Sequence, residues 1–235
     1  MIKMMILAPR RAGMSHAEFR RYVTEVHGPL VKSVTEVAAD IRRYHYNFPI
    51  PVADIGALAL PLAPLDIITE AWFDSIAAQR RNMQHPRYMQ VLRPDEERFA
   101  DGQRARLHYT TERVVIDGPR TALRLFVMRR RRATLTREDF QDAWQQRMQQ
   151  LLTVTGGLGA NVFCYVQNHT AAEQEHPDGA NARYFDVIDQ YFLPDQSALG
   201  ALAASLAQTA AYELLQPLLD ATRSAVLLTE VVKNI

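Results

Sequence analysis

Residues 2–23, IKMMILAPRRAGMSHAEFRRYV, lie over residues 123–144, LRLFVMRRRRATLTREDFQDAW, when the sequence is slid along itself by 121 positions. The match runs without a gap from 2–48 over 123–169. Its identities are Arg10/Arg131, Arg11/Arg132, Ala12/Ala133, Phe19/Phe140, Leu30/Leu151, Ala39/Ala160, Tyr44/Tyr165 and Asn47/Asn168. The identities are few, but both copies carry the same signals in the same order: an apolar run, a basic turn, a helix start, then an alternating strand. Met4 to Leu7 and Leu125 to Met128 read as strands buried on both faces. Ser15 with Glu18, and Thr136 with Asp139, stand at capping-box spacing. With a period of 3.6 residues, the first helix presents Phe19, Tyr22, Val23, Val26 and Leu30 on one side, with His27 at the margin of that stripe.

Working outward, strands are expected at 41–48 and 67–73, answered by 162–169 and 186–192. A second helical region spans about 75–100, bent at His85-Pro86, and its counterpart spans about 197–222. Both halves close with a strand, 107–116 and 225–232, registered on Thr111-Glu112 and Thr229-Glu230. Each copy reads β-α-β-β-α-β, the ferredoxin-like unit, and Asp117-Gly118-Pro119 marks the break between them. The expectation is an α+β protein of two such repeats, residues 1–118 and 119–235. Their sheets meet as an intrachain barrel pseudo-dimer with the helices outside. One chain then supplies both barrel halves, so a further homodimer is allowed but not required.

Composition narrows the function classes. Lys and Arg number 27 against 26 Asp and Glu, so a net charge of +1 gives no field to recruit nucleic acid or an anionic membrane. A hydrophobic fraction of 48% fits a packed globular chain. The one cysteine, Cys164, forms no intrachain disulfide and suits a reducing compartment, and the short N-terminal apolar run lacks a signal-peptide cleavage pattern, so a cytoplasmic protein is expected. None of the seven histidines is paired with another at metal-ligand spacing, and no P-loop, GxGxxG, HExxH or GxSxG motif occurs. No metal and no cofactor are therefore expected.

The run Arg10-Arg11-Ala-Gly-Met-Ser-x-x-x-Phe19, followed by Glu25-Val-His27-Gly-Pro-Leu-Val31, resembles the opening of EthD-domain proteins, members of the dimeric α+β barrel superfamily. Glu70-Ala-Trp72-Phe73, His85-Pro-x-Tyr88 with Asp95-Glu96-x-x-Phe99, and Thr111-Glu112 are similar to the same family; Tyr165-Val-Gln-Asn168-His169 and Thr229-Glu230 repeat the likeness in the second copy. The resemblance implies a pocket between sheet and helices. It also implies roles in the breakdown of ethers and aromatics or in polyketide cyclisation and dehydration; wider superfamily members include cofactor-free monooxygenases and haem proteins.

Reading one copy against the other places His27 over Met148, His45 over Val166 and His108 over Val226, which implies imidazoles at least partly inside. His27 is the first choice for a general acid/base, assisted by His45 and Arg43. Alternation puts Ile41, Arg43, His45 and Asn47 on one face of their strand and Arg42, Tyr44, Tyr46 and Phe48 on the other. Tyr22, Tyr44, Glu70, Trp72, Tyr88 and His108 complete a candidate substrate-binding set, with Asp189 as the counterpart of Glu70. Arg129 to Arg132 reads as a solvated turn, and the apolar connection 49–64 as a lid candidate.

The leading functional expectation is a cofactor-independent enzyme that moves a proton on a small hydrophobic carbonyl or aromatic compound by cyclisation, dehydration or isomerisation. The alternatives are a non-catalytic binding or accessory protein of an oxidoreductase pathway, and a redox member of the superfamily. Any site is expected in the N-terminal copy, with a composite site drawing on both copies as the rival.

Overall fold

The computed structural model describes residues 1–52, 60–154, 158, 161–172, 184–207 and 213–233. Part of the lid candidate, 53–59, lies outside these residues. The elements run β1 (Ile2–Ala8), α1 (His16–Tyr22), α2 (Gly28–Ser33), α3 (Thr35–Ala38), β2 (Arg43–Pro49), β3 (Ile67–Phe73), α4 (Ile76–Gln84), α5 (Arg93–Phe99) and β4 (Arg106–Ile116). They continue with β5 (Leu123–Arg129), α6 (Arg137–Val154), β6 (Cys164–Thr170), β7 (Val187–Leu193), α7 (Ser197–Ala207) and β8 (Ala225–Lys233). The strands close an eight-stranded antiparallel barrel in the order β1-β3-β2-β8-β5-β7-β6-β4. No described helix is long and apolar enough to cross a membrane.

Alternation along each strand sends side chains to two environments. Met5, Leu7, Ile68, Phe126, Met128, Ile188 and Leu227 fill the barrel interior. The opposite faces meet helices: Phe19, Val23, Tyr44, Tyr46 and Phe73 in one cluster, and Phe140, Trp144, Tyr165 and Tyr191 in another. Because β2 pairs with β3 of its own half and β8 of the other, and β4 with β1 of its own half and β6 of the other, the closed hydrogen-bond ladder leaves no edge exposed.

Several hydrogen bonds recur about 120 residues apart. Arg10 donates to Asp66 and to the Met14 carbonyl as Arg131 donates to Asp186 and to the Leu135 carbonyl. Asn47 donates to the Ile68 carbonyl and Asn168 to that of Ile188. Thr110 caps the Lys3 carbonyl and Thr229 that of Arg124. These ladders correct two registers. Met5 stands opposite Glu70 and His108, and Phe126 stands opposite Gln190 and Leu227. Glu70 therefore answers to Gln190 rather than Asp189, and His108 to Leu227 rather than Val226. The halves differ by single residues in their connections, and a slip of one residue sends a strand side chain to the other face.

Two further details follow from packing. A Cβ at Gly118 would stand 2.2 Å from the Phe163 carbonyl oxygen, so the break between halves needs glycine. The run from Arg129 to Arg132 is not a solvated turn throughout. Arg129 pairs with Asp189 at 3.1 Å and Arg130 with Asp186 at 3.3 Å, both arginines buried, because β5 ends beside the aspartates of β7 and its preceding loop.

His108 lies wholly buried on the inner face of β4, its ring 6.0 Å from Phe185 and 5.1 Å from Tyr184, and neither ring nitrogen has a hydrogen-bond partner among the described residues. Burial, with Arg137, Arg106 and Arg130 nearby, pushes its pKa down to about 3. The sign follows from linkage: below the ordinary imidazole value of about 6.5, the unfolded chain takes up a proton that the folded chain refuses. This group therefore costs stability as pH falls from about 6.5 towards 3. His108→Leu, which installs the residue found in the equivalent place at 227, is expected to raise the urea midpoint. Its advantage should widen by up to about 1.4 kcal/mol per pH unit between about pH 6.5 and 5. A gap that does not change with pH would rule out this origin.

Candidate active site

Helix α1 starts at Ser15, whose side chain accepts from the Glu18 amide while Glu18 accepts from the Ser15 amide, a complete capping box. After Tyr22 the chain does not continue as an α-helix. Val23–His27 form one π turn before α2 begins at Gly28 with Pro29 in its first turn. The wider turn rotates the stripe expected from a 3.6 period. Val26, expected inside, is 45% exposed, and His27, expected at the margin, is 3% exposed. A second π turn, Tyr88–Leu92, joins the bend after α4 to α5, and buries Tyr88, Leu92, Asp95 and Phe99.

The first π turn and α5 bring their side chains together. Asp95 Oδ2 stands 2.9 Å from His27 Nδ1, and Tyr22 donates its hydroxyl proton to Asp95 Oδ1 at 2.6 Å. Phe99 packs on the imidazole with ring centres 4.7 Å apart. Burial alone would raise the Asp95 carboxyl, but the hydrogen bonds from His27 and Tyr22 outweigh it and hold it below the ordinary value. An ionised Asp95 accepts from Nδ1–H, which fixes the tautomer and leaves the lone pair on Nε2.

His27 lines a cavity of about 40 Å³ between the sheet and the helices, together with Met4, Ile6, Tyr44, Ala71, Tyr88 and Glu96. That is room for a few waters, and a larger molecule would fit only if side chains spread. Ile6, Ile41, Met83 and Glu96, half-buried among otherwise buried lining residues, mark the side facing solvent. Burial pushes the Tyr44 phenol up, so it keeps its proton; its hydroxyl shares a hydrogen bond with that of Tyr46. Tyr88 donates to Glu96 Oε1 at 2.7 Å, and Arg93 approaches Oε2 at 3.3 Å. Burial raises the Glu96 carboxyl against the opposing pull of Tyr88, His27 and Arg93.

The other candidates named from sequence lie elsewhere. Arg43, His45, Glu70, Trp72 and His108 alternate onto the barrel-inner face, so none shares the cavity with His27, Tyr44 and Tyr88. Tyr22 stands behind Asp95. At the inner face Lys3 Nζ meets Glu70 Oε1 at 2.7 Å, Asn168 Oδ1 at 2.8 Å, Gln190 Oε1 at 3.0 Å and Glu112 Oε1 at 3.0 Å. Arg124 Nη1 meets Glu70 Oε2 at 2.7 Å and Asn47 Oδ1 at 3.1 Å. Trp72 donates to Glu112 and carries the Arg43 guanidinium 4.6 Å over its ring, with the half-buried His45 ring edge-on at 5.1 Å. This network ties residues of both halves across the barrel.

Residues 11–103 match the EthD domain family, the segment that holds His27, Tyr44, Tyr88, Asp95 and Glu96. The conidial pigment biosynthesis dehydratase EthD of Metarhizium robertsii is 30% identical over 105 residues, which cover 43% of this chain and 74% of that protein. The chain belongs to the EthD family. A second relative, the decarboxylase AgnL1 of Paecilomyces divaricatus, is 30% identical over 104 residues, 42% of this chain and 69% of its own. Among solved structures, an anthrone oxidase-like protein aligns over 98% of this EthD-family chain and 91% of its own length, with 12% identity and a TM-score of 0.59. A mutant chlorite dismutase from Candidatus Nitrospira defluvii aligns over 98% and 91%, with 10% identity and a TM-score of 0.56. Both likenesses are of fold.

In the C-terminal half of this EthD-family protein, larger side chains among the described residues occupy the corresponding place between sheet and helices. Tyr191 stands opposite Leu125 where Ala71 stands opposite Met4. Tyr191, Trp144, Met148 and Tyr165 are wholly buried together, and Tyr165 and Trp144 both donate to Asp189 Oδ1, at 2.6 and 3.2 Å. Asp95 and Glu96 carried no role in the sequence reading. Their signal was present in the Asp-Glu pair four and three residues before the buried Phe99, one helical turn from the core.

Proposed function

We propose that this EthD-family protein is a cofactor-independent enzyme that removes a proton from the carbon beside the carbonyl of a small hydrophobic, aromatic or polyketide-derived ketone. The observation that carries the reading is the Tyr22–Asp95–His27 chain ending at an apolar cavity. Asp95 orients the imidazole and stabilises the imidazolium that forms when Nε2 takes the proton. In this reading Tyr44 donates to the developing enolate oxygen and Tyr88 walls the substrate, which is supported by both lining the cavity. Among the outcomes open to such a proton transfer, dehydration draws support from the Metarhizium robertsii dehydratase. The protein works in the cytoplasm on a small-molecule partner.

We infer further that residues 1–118 and 119–235 are two copies of one β-α-β-β-α-β unit paired about a pseudo-two-fold axis, and that only the first keeps a site. The paired Arg10/Asp66 and Arg131/Asp186 contacts support the duplication; Ala71 against Tyr191, and His27 against Met148, support the asymmetry. The test is exchange of α-hydrogens of a fused-ring aryl ketone in heavy water, followed by NMR. Wild-type protein is expected to accelerate exchange, and His169→Ala to leave it nearly unchanged. A ketone whose exchange the protein does not accelerate, or a loss on His169→Ala larger than on His27→Ala, would contradict the reading.

A further inference from the structure

Glu96 is a titratable group on the wall of the same cavity that the base assignment leaves without a task. It reaches the cavity from α5, one residue after the Asp95 that holds His27, so the backbone that positions the base also positions this carboxyl. Its first oxygen accepts from Tyr88 at 2.7 Å, and its second lies 3.3 Å from Arg93, a surface side chain 51% exposed. Among the described residues the second oxygen is thus held by a long contact to an exposed arginine. A quarter or so of the Glu96 side chain, 27%, remains exposed, enough to exchange its proton with solvent between turnovers.

We propose that Glu96 is the proton donor to the leaving group, so that the cavity carries out an elimination of water from a β-hydroxy ketone; this rests on His27 as the base. The bookkeeping closes without any co-reactant. His27 Nε2 takes the α-proton, and its electron pair becomes the enolate. The enolate re-forms the carbonyl, its carbon–carbon π pair creating the new α,β double bond as the bond from the β-carbon to oxygen breaks. The departing oxygen takes the Glu96 carboxyl proton and leaves as water. His27 is then imidazolium and Glu96 carboxylate, and transfer of the proton from one to the other, directly or by solvent, restores both. The groups that face Glu96 suit the cycle. Tyr88 and Arg93 steady its anion, His27 lies near enough to couple to its charge, and Tyr44 and Tyr46 on β2 remain protonated beside it. Burial keeps the carboxyl raised, as a group that must hold a proton and then give it up requires.

The test uses the whole protein and two fused-ring aryl ketones that differ only in a hydroxyl on the carbon β to the carbonyl. The ketone without the hydroxyl reports α-hydrogen exchange, which needs the base alone; the ketone with it reports loss of water. Glu96→Gln is expected to slow water loss by about 100-fold or more, at least about tenfold more than it slows exchange, and Glu96→Asp to recover part of the loss. Equal losses in both assays would make Glu96 a structural residue, and unchanged water loss would remove it from the reaction; either overturns the proposal while leaving His27 in place. No exchange by the wild-type protein would remove the base assignment and this proposal with it.

Discussion

Replacing His27 with alanine lowers the rate of α-hydrogen exchange by about 100-fold or more if its imidazole is the general base, the range such groups contribute. His27→Gln, closer in size and polar, should show a similar loss, which separates loss of the base from loss of packing against Phe99 and Tyr46. Asp95→Asn should give a smaller loss, because the ring keeps its place while the stabilisation of the imidazolium falls. Tyr22→Phe removes one hydrogen bond from Asp95 and should act more weakly still. Thermal melting of each variant provides the control. Rates within threefold of wild type for both His27 variants would end the assignment.

The largest expected effect on stability belongs to Glu70. The barrel interior holds Lys3 and Arg124 against Glu70 and Glu112, two cations against two carboxylates, with Asn47, Asn168 and Gln190 supplying oxygens. Burial opposes the charge on Glu70, but Lys3, the His45 imidazole 3.9 Å away, and Arg124 outweigh it and hold the carboxyl well below its ordinary range. Glu70→Ala leaves the buried Lys3 with Glu112, which Arg120 also contacts, and leaves the buried Arg124 with no ion-pair partner among the described residues. Breaking a buried pair in this way costs about 3–5 kcal/mol. Glu230→Ala, which cuts a surface pair with Arg20, should leave the midpoint of unfolding unchanged within error. A Glu70→Ala variant as stable as wild type would mean that the network adds little. Because Lys3 reaches residues of the second half and Arg124 those of the first, the same loss should also loosen the union of the halves.

Much of this arrangement was legible in the sequence because it depends on short-range rules. The Ser15 and Glu18 spacing specifies the start of α1, and strict alternation along β2 separates Tyr44, Tyr46 and Phe48 from Arg43, His45 and Asn47, as the two faces require. The site was only partly legible. A helical period of 3.6 cannot anticipate a π turn, so Val26 was placed inside and His27 at the edge, although the Gly28-Pro29 break stood just beyond. Alternation shows that Arg43 and Tyr44 face opposite ways but not which way holds the cavity, and Arg43 and His45 were grouped with His27 for their chemistry. Asp95 lies 68 residues from His27, a pairing that the topology of the barrel creates and that no local pattern encodes. The same holds for Glu70: its charge could be read as buried, but its partners Lys3 and Arg124 come from two other strands. Register errors at Glu70 and His108 arose where single-residue differences in loops break an otherwise constant shift.

The most direct test of the central claim, that the N-terminal half alone carries the site, is a crystal structure with a fused-ring aryl ketone bound. The account predicts the ketone between the β1–β4 sheet and helices α2, α4 and α5, with its α-carbon beside His27 Nε2, its carbonyl oxygen at the Tyr44 hydroxyl and Glu96 on the far side. Ketone density found only between β5–β8 and helices α6 and α7, or inside the barrel beside His45 and Trp72, would contradict it.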